Sequence, residues 1–182
     1  MCKMIRKDDA VVLAIDFQEN IIKAMHEKEA LTDCAARLFE GAKVLGVPVL
    51  VTQQYTKGLG ETIPQIAEAI GEFEHVEKTT FSALRTPEFA ERLKAAGKKQ
   101  VILTGIEAHV CVQQTALELL NEGYEVFVIS DCISSRKQKD KKEAERRMVH
   151  AGCTLTTYEA ALFEMLEGSK SEGFREISKI VK

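Results

Sequence analysis

The stretch QVILTGIEAHVCVQQTALELL, residues 100–120, decides the fold of this chain. It begins as an apolar run rich in β-branched residues, breaks at Gly105, and continues with apolar residues at helical spacing. This pattern predicts a buried strand, a tight loop and a helix. Cys111 falls where the helix should begin, and the unpaired N–H groups of a first helical turn carry partial positive charge. The segment could therefore supply a thiolate nucleophile and an oxyanion hole, with a small buried core cysteine as the alternative.

Strand and helix patterns alternate on both sides of this stretch. Short apolar runs predict further strands, each followed by apolar residues at helical spacing. Such alternation is typical of an α/β fold with a parallel sheet covered by helices on both faces. The predicted strands cover residues 11–16, 47–53, 75–78, 124–130 and 153–157, and the main helices cover 29–46, 63–70, 86–97, 137–150 and 158–166.

Length and composition limit the possible function classes. A chain of 182 residues fits one domain, and we expect a single domain over residues 1–182. The formal net charge of -3 argues against nucleic acid as a partner. No apolar run approaches the roughly 18 residues of a membrane span, and the start MCKMIRKDD lacks a long apolar signal region. Five cysteines without a C-x-x-C pair indicate reduced thiols, so we expect a soluble cytoplasmic protein.

Three chemistry-bearing residues follow the ends of predicted strands. Asp16 ends the first, Lys78 ends the third, and the loop before Cys111 follows the central strand. The carboxyl ends of parallel strands meet at one edge of a sheet, which is where ligands bind in open α/β folds. We therefore expect these residues on a common side. A helix N-cap or a loop carboxylate for Asp16 and a solvated charge for Lys78 are the alternatives.

These residues resemble the isochorismatase-like cysteine hydrolase superfamily, which also contains nicotinamidases and N-carbamoylsarcosine amidohydrolases. Three separated motifs carry the resemblance: DFQ at 16–18, KTTFSA at 78–83 and TGIEAHVCV at 104–112. It covers nearly the whole chain. The similarity is greatest to the subgroup of isochorismatase domain-containing proteins, in TQQYTKGLG at 52–60, GIEAHVCVQQTALELL at 105–120, SSR at 134–136 and FREISKIVK at 174–182.

The resemblance implies a three-layer α/β/α sandwich around a six-stranded parallel sheet. It also implies that Asp16, Lys78 and Cys111 form a catalytic triad. A non-proline cis peptide would join Ile106 to Glu107, and the backbone N–H groups of Glu107 and Cys111 would form an oxyanion hole. Since members of the family are commonly oligomeric, we expect at least a homodimer.

The residue types suit a hydrolysis reaction. The ammonium of Lys78 would lower the pKa of the Cys111 thiol, which is ordinarily about 8.5. Asp16 would take the thiol proton and later give it to a leaving amine. A thioester at Cys111 would form and be hydrolysed by water. Amide, carbamoyl and imide carbon–nitrogen bonds of a small molecule fit this sequence of steps.

Two departures from the wider superfamily narrow the expected activity. Nicotinamidases carry an Asp-x-His metal motif after the second strand, whereas here the loop reads QQYT at 53–56. We therefore expect no bound zinc or iron, and the resemblance implies no organic cofactor. Isochorismatases that cleave a vinyl ether commonly lack the cysteine, so Cys111 favours an acyl-enzyme hydrolase.

Further residues are candidates for the substrate pocket. Phe17, Tyr55 and Phe81 are aromatic residues beside the proposed site, with core packing as the alternative. Gln18 follows Asp16 closely, and His109 precedes Cys111 by two residues and is expected in the pocket wall.

Two other functions use the same sequence features. One is a thiol redox sensor in which Cys111 forms a sulfenic acid or a disulfide with Cys132. Cys132 follows a strand tip near the pocket mouth, but we expect it to be a buried thiol rather than a redox-active one. The other is a non-catalytic interaction protein. It would use the amphipathic tail at 172–182, which is expected to dock as a final helix or to meet a second subunit.

Overall fold

The computed structural model describes residues 4–182 and confirms the expected α/β fold. A six-stranded, all-parallel sheet has the strand order β3-β2-β1-β4-β5-β6. The strands are β1 (Ala10–Ile15), β2 (Val49–Gln54), β3 (His75–Lys78), β4 (Gln100–Ile106), β5 (Glu125–Ser134) and β6 (Thr154–Thr156).

Helices cover both faces of this sheet and complete the three-layer α/β/α sandwich. They are α1 (Glu19–Ile22), α2 (Lys28–Leu45), α3 (Thr56–Leu59), α4 (Pro64–Ile70), α5 (Pro87–Ala95), α6 (Gln113–Asn121), α7 (Gln138–Ala151), α8 (Tyr158–Leu166) and α9 (Phe174–Ile180). Buried residues of α1, α2, α4, α8 and α9 pack on one face, and those of α5, α6 and α7 pack on the other.

Strand β1 shows why its sequence is apolar throughout. Successive side chains of a strand point to opposite faces, and both faces are covered here. Val12 and Ala14 belong to the core beneath α2, whereas Val11, Leu13 and Ile15 belong to the core beneath α5, α6 and α7. Every residue of β1 is therefore buried.

The order of the strands places β1 beside β4 at the centre of the sheet, where the chain changes its direction of winding. In open parallel sheets the crevice at such a point, outside the carboxyl ends of the strands, is the usual ligand site. Gly105 makes a close approach possible there. It has φ +125°, and a Cβ at this position would lie 2.1 Å from the carbonyl oxygen of Ile15. The predicted break at Gly105 is wrong, since β4 continues to Ile106.

Strand β5 is longer than the pattern indicated. We predicted its end at Ser130, but it continues to Ser134. The pairing with β4 passes from Leu103↔Val128 to Gly105↔Ile133, so β5 bulges in between and then resumes. Cys132 therefore lies inside the strand, fully buried in the core beneath α2. The expectation of a buried thiol is confirmed for Cys132, and the alternative of a redox-active thiol near the pocket mouth is not.

The tail docks on its own chain, as one of the two alternatives predicted. Ile177 of α9 is fully buried in the core that α2 also covers. Arg37 donates a hydrogen bond from Nη1 to the carbonyl oxygen of Ile180 at 2.7 Å. Among residues 4–182, no helix combines the length and apolar character needed to cross a membrane.

Candidate active site

Asp16 comes directly after β1 with both carboxylate oxygens engaged. Its side chain is fully buried, Thr52 donates from Oγ1 to Oδ1 at 2.7 Å, and Lys78 donates from Nζ to Oδ2 at 2.6 Å. The backbone of Asp16 has φ +54°, a conformation that non-glycine residues rarely adopt. Such strain persists where the surrounding structure holds the residue in place, and it is concentrated at functional sites.

Lys78 is the last residue of β3, and its side chain has no exposed area. Besides Asp16, the Nζ atom donates to Oε1 of Gln54 at 2.7 Å and to the carbonyl oxygens of Thr80 and Phe81 at 3.2 and 3.3 Å. A buried charge is costly unless it is paired and hydrogen-bonded, and this ammonium is both. The alternative interpretation of Lys78 as a solvated charge is therefore wrong.

Cys111 lies in a π-helical turn, Ala108–Val112, that precedes α6. We predicted that Cys111 would open an α-helix. The structure instead places it in the π-helical turn before α6, which is wound more widely than an α-helix. Short π-helical segments are rare and are frequent at functional sites. The residue is 5 % exposed and packs against the core beneath α5, α6 and α7.

The structure brings the Cys111 thiol together with Asp16 and Lys78. The pKa of Cys111 is raised to about 12, chiefly by burial and next by the charge and hydrogen bonding of Asp16, which together outweigh the lowering effect of Lys78. The expected net lowering of this pKa is therefore wrong. At neutral pH Cys111 is a thiol beside a carboxylate, so any attack by the sulfur requires transfer of its proton.

Glu107 connects β4 to the π-helical turn. Its peptide bond to Ile106 is cis. Its carbonyl oxygen accepts hydrogen bonds from the N–H groups of Val110 and Val112 at 3.0 and 3.3 Å. Its carboxylate accepts from the backbone N and from Nε of Arg136, both through Oε2, at 3.1 and 3.0 Å. These bonds fix the turn that carries Cys111 to the loop after β5.

Comparison with known proteins identifies the family. The family model described as the isochorismatase domain matches residues 10–160. The chain belongs to the isochorismatase domain family. It is 38 % identical over 173 residues to isochorismatase domain-containing protein 2 of Xenopus laevis, covering 94 % of this chain and 83 % of that protein.

Two solved structures have the same isochorismatase-family fold. The MAR1 ribonuclease of Caenorhabditis elegans has a TM-score of 0.92 and 36 % identity, covering 98 % of this chain and 92 % of that one. The YcaC gene product of Escherichia coli, described as an octameric hydrolase of unknown specificity, has a TM-score of 0.92 and 25 % identity. That match covers 97 % of this chain and 90 % of the other.

Two of the expected pocket residues have structural roles in this isochorismatase-family chain. Phe17 is 1 % exposed and packs edge-on against Phe39, with ring centroids 5.9 Å apart, so its side chain is part of the core. Gln18 is fully buried, and its amide bonds the backbone N and O of Gln54 and the carbonyl oxygen of Gly60. For Phe17 the structure favours the core-packing alternative, and contact of Phe17 and Gln18 with substrate stays a prediction.

The other expected pocket residues lie on loops. Tyr55 follows β2 and is 52 % exposed, and Phe81 follows β3 and is 54 % exposed. His109 is half-buried, and its Nδ1 lies 2.9 Å from Oγ of Ser135. It lines a cavity of about 650 Å³ with residues of α7, including Arg147 and His150. Contact of Tyr55, Phe81 and His109 with substrate remains a prediction.

The glutamines after β2 are both engaged within the chain. Gln53 accepts from the N and Oγ1 of Thr62 and donates to Oγ1 of Thr56 and Oε2 of Glu61. Gln54 holds Lys78. In the part of the chain from 4 to 182, no group of three or more His, Cys, Asp or Glu side chains is placed to hold a metal ion.

Sequence reasoning missed the roles of Thr52 and of the Gln54 side chain. Both residues lie at the carboxyl end of β2, the strand between β1 and β3. Polar side chains at that end of a buried strand were the available signal, because they share an edge with Asp16 and Lys78.

Proposed function

We propose that this chain is a cysteine hydrolase that cleaves a carbon–nitrogen bond of a small amide, carbamoyl or imide compound. Family membership supports a hydrolase. The observation that carries the finer proposal is the buried ion pair between Asp16 and Lys78, with both groups acting on the thiol of Cys111. A carboxylate, an ammonium and a thiol are the groups that acyl transfer through sulfur requires.

Acylation begins with proton transfer from the Cys111 thiol to the Asp16 carboxylate as the sulfur attacks the substrate carbonyl carbon. The new carbon–sulfur bond leaves negative charge on the carbonyl oxygen, which the N–H groups of Glu107 and Cys111 would stabilise. Collapse of this adduct breaks the carbon–nitrogen bond. The leaving nitrogen takes the proton from Asp16, which leaves a thioester on Cys111 and returns Asp16 to its charged form.

Deacylation repeats the steps with water. Asp16 takes a proton from the attacking water, and the oxygen adds to the thioester carbon. The carbon–sulfur bond then breaks, and the sulfur recovers the proton from Asp16. Each step has a protein group for its proton, so the mechanism needs neither a metal nor an organic cofactor.

Lys78 has an electrostatic role in this mechanism. Its Nζ atom donates to Asp16 and to three other oxygens, which stabilises the charged amine. The positive charge lowers the pKa of Cys111 against the opposing effects of burial and Asp16. It therefore stabilises negative charge as it develops on the sulfur.

Release of amine from a panel of small amides, carbamoyl compounds and imides tests the proposal. We expect turnover of at least one compound by the wild type and loss of that turnover in Cys111→Ala. Cys153→Ala is the matched control, because Cys153 is a buried thiol of the same core. Equal turnover by the wild type and Cys111→Ala, or no turnover of any compound, would overturn the proposal.

RNA cleavage is a second candidate function. The similar structure from Caenorhabditis elegans is named a ribonuclease. The cavity beside His109 is lined by the basic side chains of Arg146, Arg147 and His150 of α7. Acidic side chains of α7 line it too. Degradation of RNA by the wild type and its loss in His109→Ala, with Cys111→Ala still active, would support this function over amide hydrolysis.

The redox alternative loses its partner cysteine. Cys111 and Cys132 belong to the cores on opposite faces of the sheet, which argues against a disulfide between them and leaves a sulfenic acid on Cys111 as the redox form that the hypothesis predicts. The interaction alternative also loses support, because α9 buries Ile177 against its own chain.

We also propose that the chain assembles into a homo-oligomer. The similar protein from Escherichia coli is described as octameric. Light scattering of the purified protein tests this, and a monomer mass at micromolar concentration would contradict it. Localisation in the cytoplasm stays a prediction, in keeping with four free thiols among residues 4–182.

A further inference from the structure

The position of the Lys78 ammonium depends on the loop that follows β3. An ammonium has three protons, and Nζ of Lys78 has four oxygen acceptors within 3.3 Å. Two of them are the backbone carbonyl oxygens of Thr80 and Phe81. A change in the path of this loop would therefore move the ammonium or weaken its hydrogen bonds.

The loop is anchored on helix α6. The N–H of Ala83 donates to Oγ1 of Thr115 at 3.0 Å. Ser82 donates from Oγ to Oε2 of Glu118 at 2.5 Å, and Arg85 donates from Nε to Oε1 of the same carboxylate at 2.7 Å. Helix α6, which follows Cys111, thus anchors the loop whose carbonyl oxygens accept hydrogen bonds from Lys78.

Thr115 connects this anchor to the nucleophile itself. Its Oγ1 donates to the carbonyl oxygen of Cys111 at 2.7 Å while accepting from Ala83. Cys111 lies in the π-helical turn and Thr115, four positions later, lies in the first turn of α6, so this hydrogen bond connects the two segments. Thr115 is fully buried, and its single hydroxyl joins the backbone of Cys111 to the loop beside Lys78.

We propose that Thr115 is a positioning residue that sets the distance between the Lys78 ammonium and the Cys111 thiol. This inference rests on the proposed function, in which the charge of Lys78 stabilises the developing thiolate. A loss of the Thr115 hydroxyl frees the Ala83 N–H and lets the loop move. The ammonium then follows the loop, and its effect on the sulfur weakens as the distance increases.

Two alkylating reagents of different charge test this inference without any substrate. Iodoacetate is an anion and iodoacetamide is neutral, so the ratio of their rates with Cys111 reports the positive field at the sulfur. The rates are measured at pH 8 by mass spectrometry of the Cys111 peptide. We expect Thr115→Val, which keeps the volume, to lower the ratio about threefold or more, and Thr115→Ser to stay close to the wild type.

A purely structural role for Thr115 would change the melting temperature or the access to Cys111, which affect both reagents alike and leave the ratio unchanged. Ser82→Ala is the second variant, since it loosens the loop without altering α6, and it decides the question if Thr115→Val does not fold. We expect it to lower the ratio as well. Wild-type ratios in both Thr115→Val and Ser82→Ala would overturn the inference.

Failure of the proposed function has a different signature. If no amide is turned over but Thr115→Val still lowers the reagent ratio, the positioning role stands and the hydrolase proposal fails. If turnover depends on Cys111 but the ratio does not change in either variant, only the positioning role fails.

Discussion

Nζ of Lys78 lies 2.6 Å from Oδ2 of Asp16, and neither side chain has any exposed area. These two residues are far apart in the sequence and reach each other because β3 and β1 end at the same edge of the sheet. A buried ion pair of this kind contributes little net stability, but removal of one partner leaves an unpaired buried charge, at a cost of about 3 to 5 kcal/mol. The pair therefore favours a chemical role over a stabilising one.

Asp16→Asn should lower kcat/KM for the cleaved amide by about 100-fold or more. The asparagine retains an oxygen that accepts from Thr52, but it cannot take the thiol proton. Steady-state kinetics measures the loss, and circular dichroism checks the fold. Asp131→Asn is the matched control, because Asp131 is a half-buried carboxyl group that accepts from the N–H of Tyr158 instead. An equal loss in the two variants would assign the effect of Asp16 to folding.

The rate of Cys111 alkylation by iodoacetamide should increase about tenfold per pH unit between pH 7 and 10, with no plateau. Burial and the Asp16 charge raise the pKa of Cys111 to about 12, so the thiolate fraction continues to increase throughout this range. Peptide mass spectrometry follows the reaction. In the urea-unfolded chain the same peptide should approach a plateau just above the ordinary thiol pKa of about 8.5. A plateau below pH 9 in the folded protein would contradict the raised pKa.

Stability should fall at alkaline pH partly because of Cys153. Burial raises the pKa of Cys153 to about 12 in the folded state, so the unfolded chain loses this proton first as the pH increases. The stabilising contribution is fully present below the unfolded pKa of about 8.5 and is lost towards pH 12. In Cys153→Ala the free energy of unfolding should fall less steeply, by up to about 1.4 kcal/mol per pH unit. Urea unfolding between pH 8 and 10.5 measures this, and parallel curves for the two proteins would show that the thiol does not contribute.

Gly105→Ala should destabilise the fold by about 3 kcal/mol or more, since its Cβ would meet the carbonyl oxygen of Ile15 at 2.1 Å in a backbone conformation with φ +125°. Gly123→Ala is the matched control. Gly123 has φ +84° with nothing within 4 Å of the added atom, so only backbone strain of about 1 to 2 kcal/mol is expected. Urea unfolding compares the two variants. Similar losses in both would show that the close approach of β4 to β1 has no cost of its own.

Much of the fold was predictable because buried parallel strands are continuously apolar. The sequences of β1 and β4 are largely apolar, as this rule requires. The convergence of Asp16 and Lys78 was predictable because parallel strands end at a common edge. Strand β5 was predicted too short because Ser130 and Asp131 look like the end of a strand. The bulge that carries the chain through them depends on pairing with β4, which local sequence does not encode.

The site was predictable in its residue types and less so in its electrostatics. The local pattern placed Cys111 at a helix start, where its pKa would be lowered, but the pKa is dominated by burial and by Asp16. Burial is a property of the whole packed chain. The same reason explains Phe17 and Gln18, whose position beside Asp16 favoured a role in the pocket. In the folded chain Phe17 packs in the core against Phe39, and Gln18 accepts a hydrogen bond from the backbone N–H of Gln54.

The most direct test of the central claim is the mass of the Cys111 peptide after acid quench of the wild type during turnover of a small amide. The mechanism predicts a transient increase equal to the acyl group of the substrate, carried by Cys111 as a thioester and absent from Cys111→Ala. Turnover that continues without any acyl group on Cys111, at a rate that Cys111→Ala retains, would contradict the mechanism.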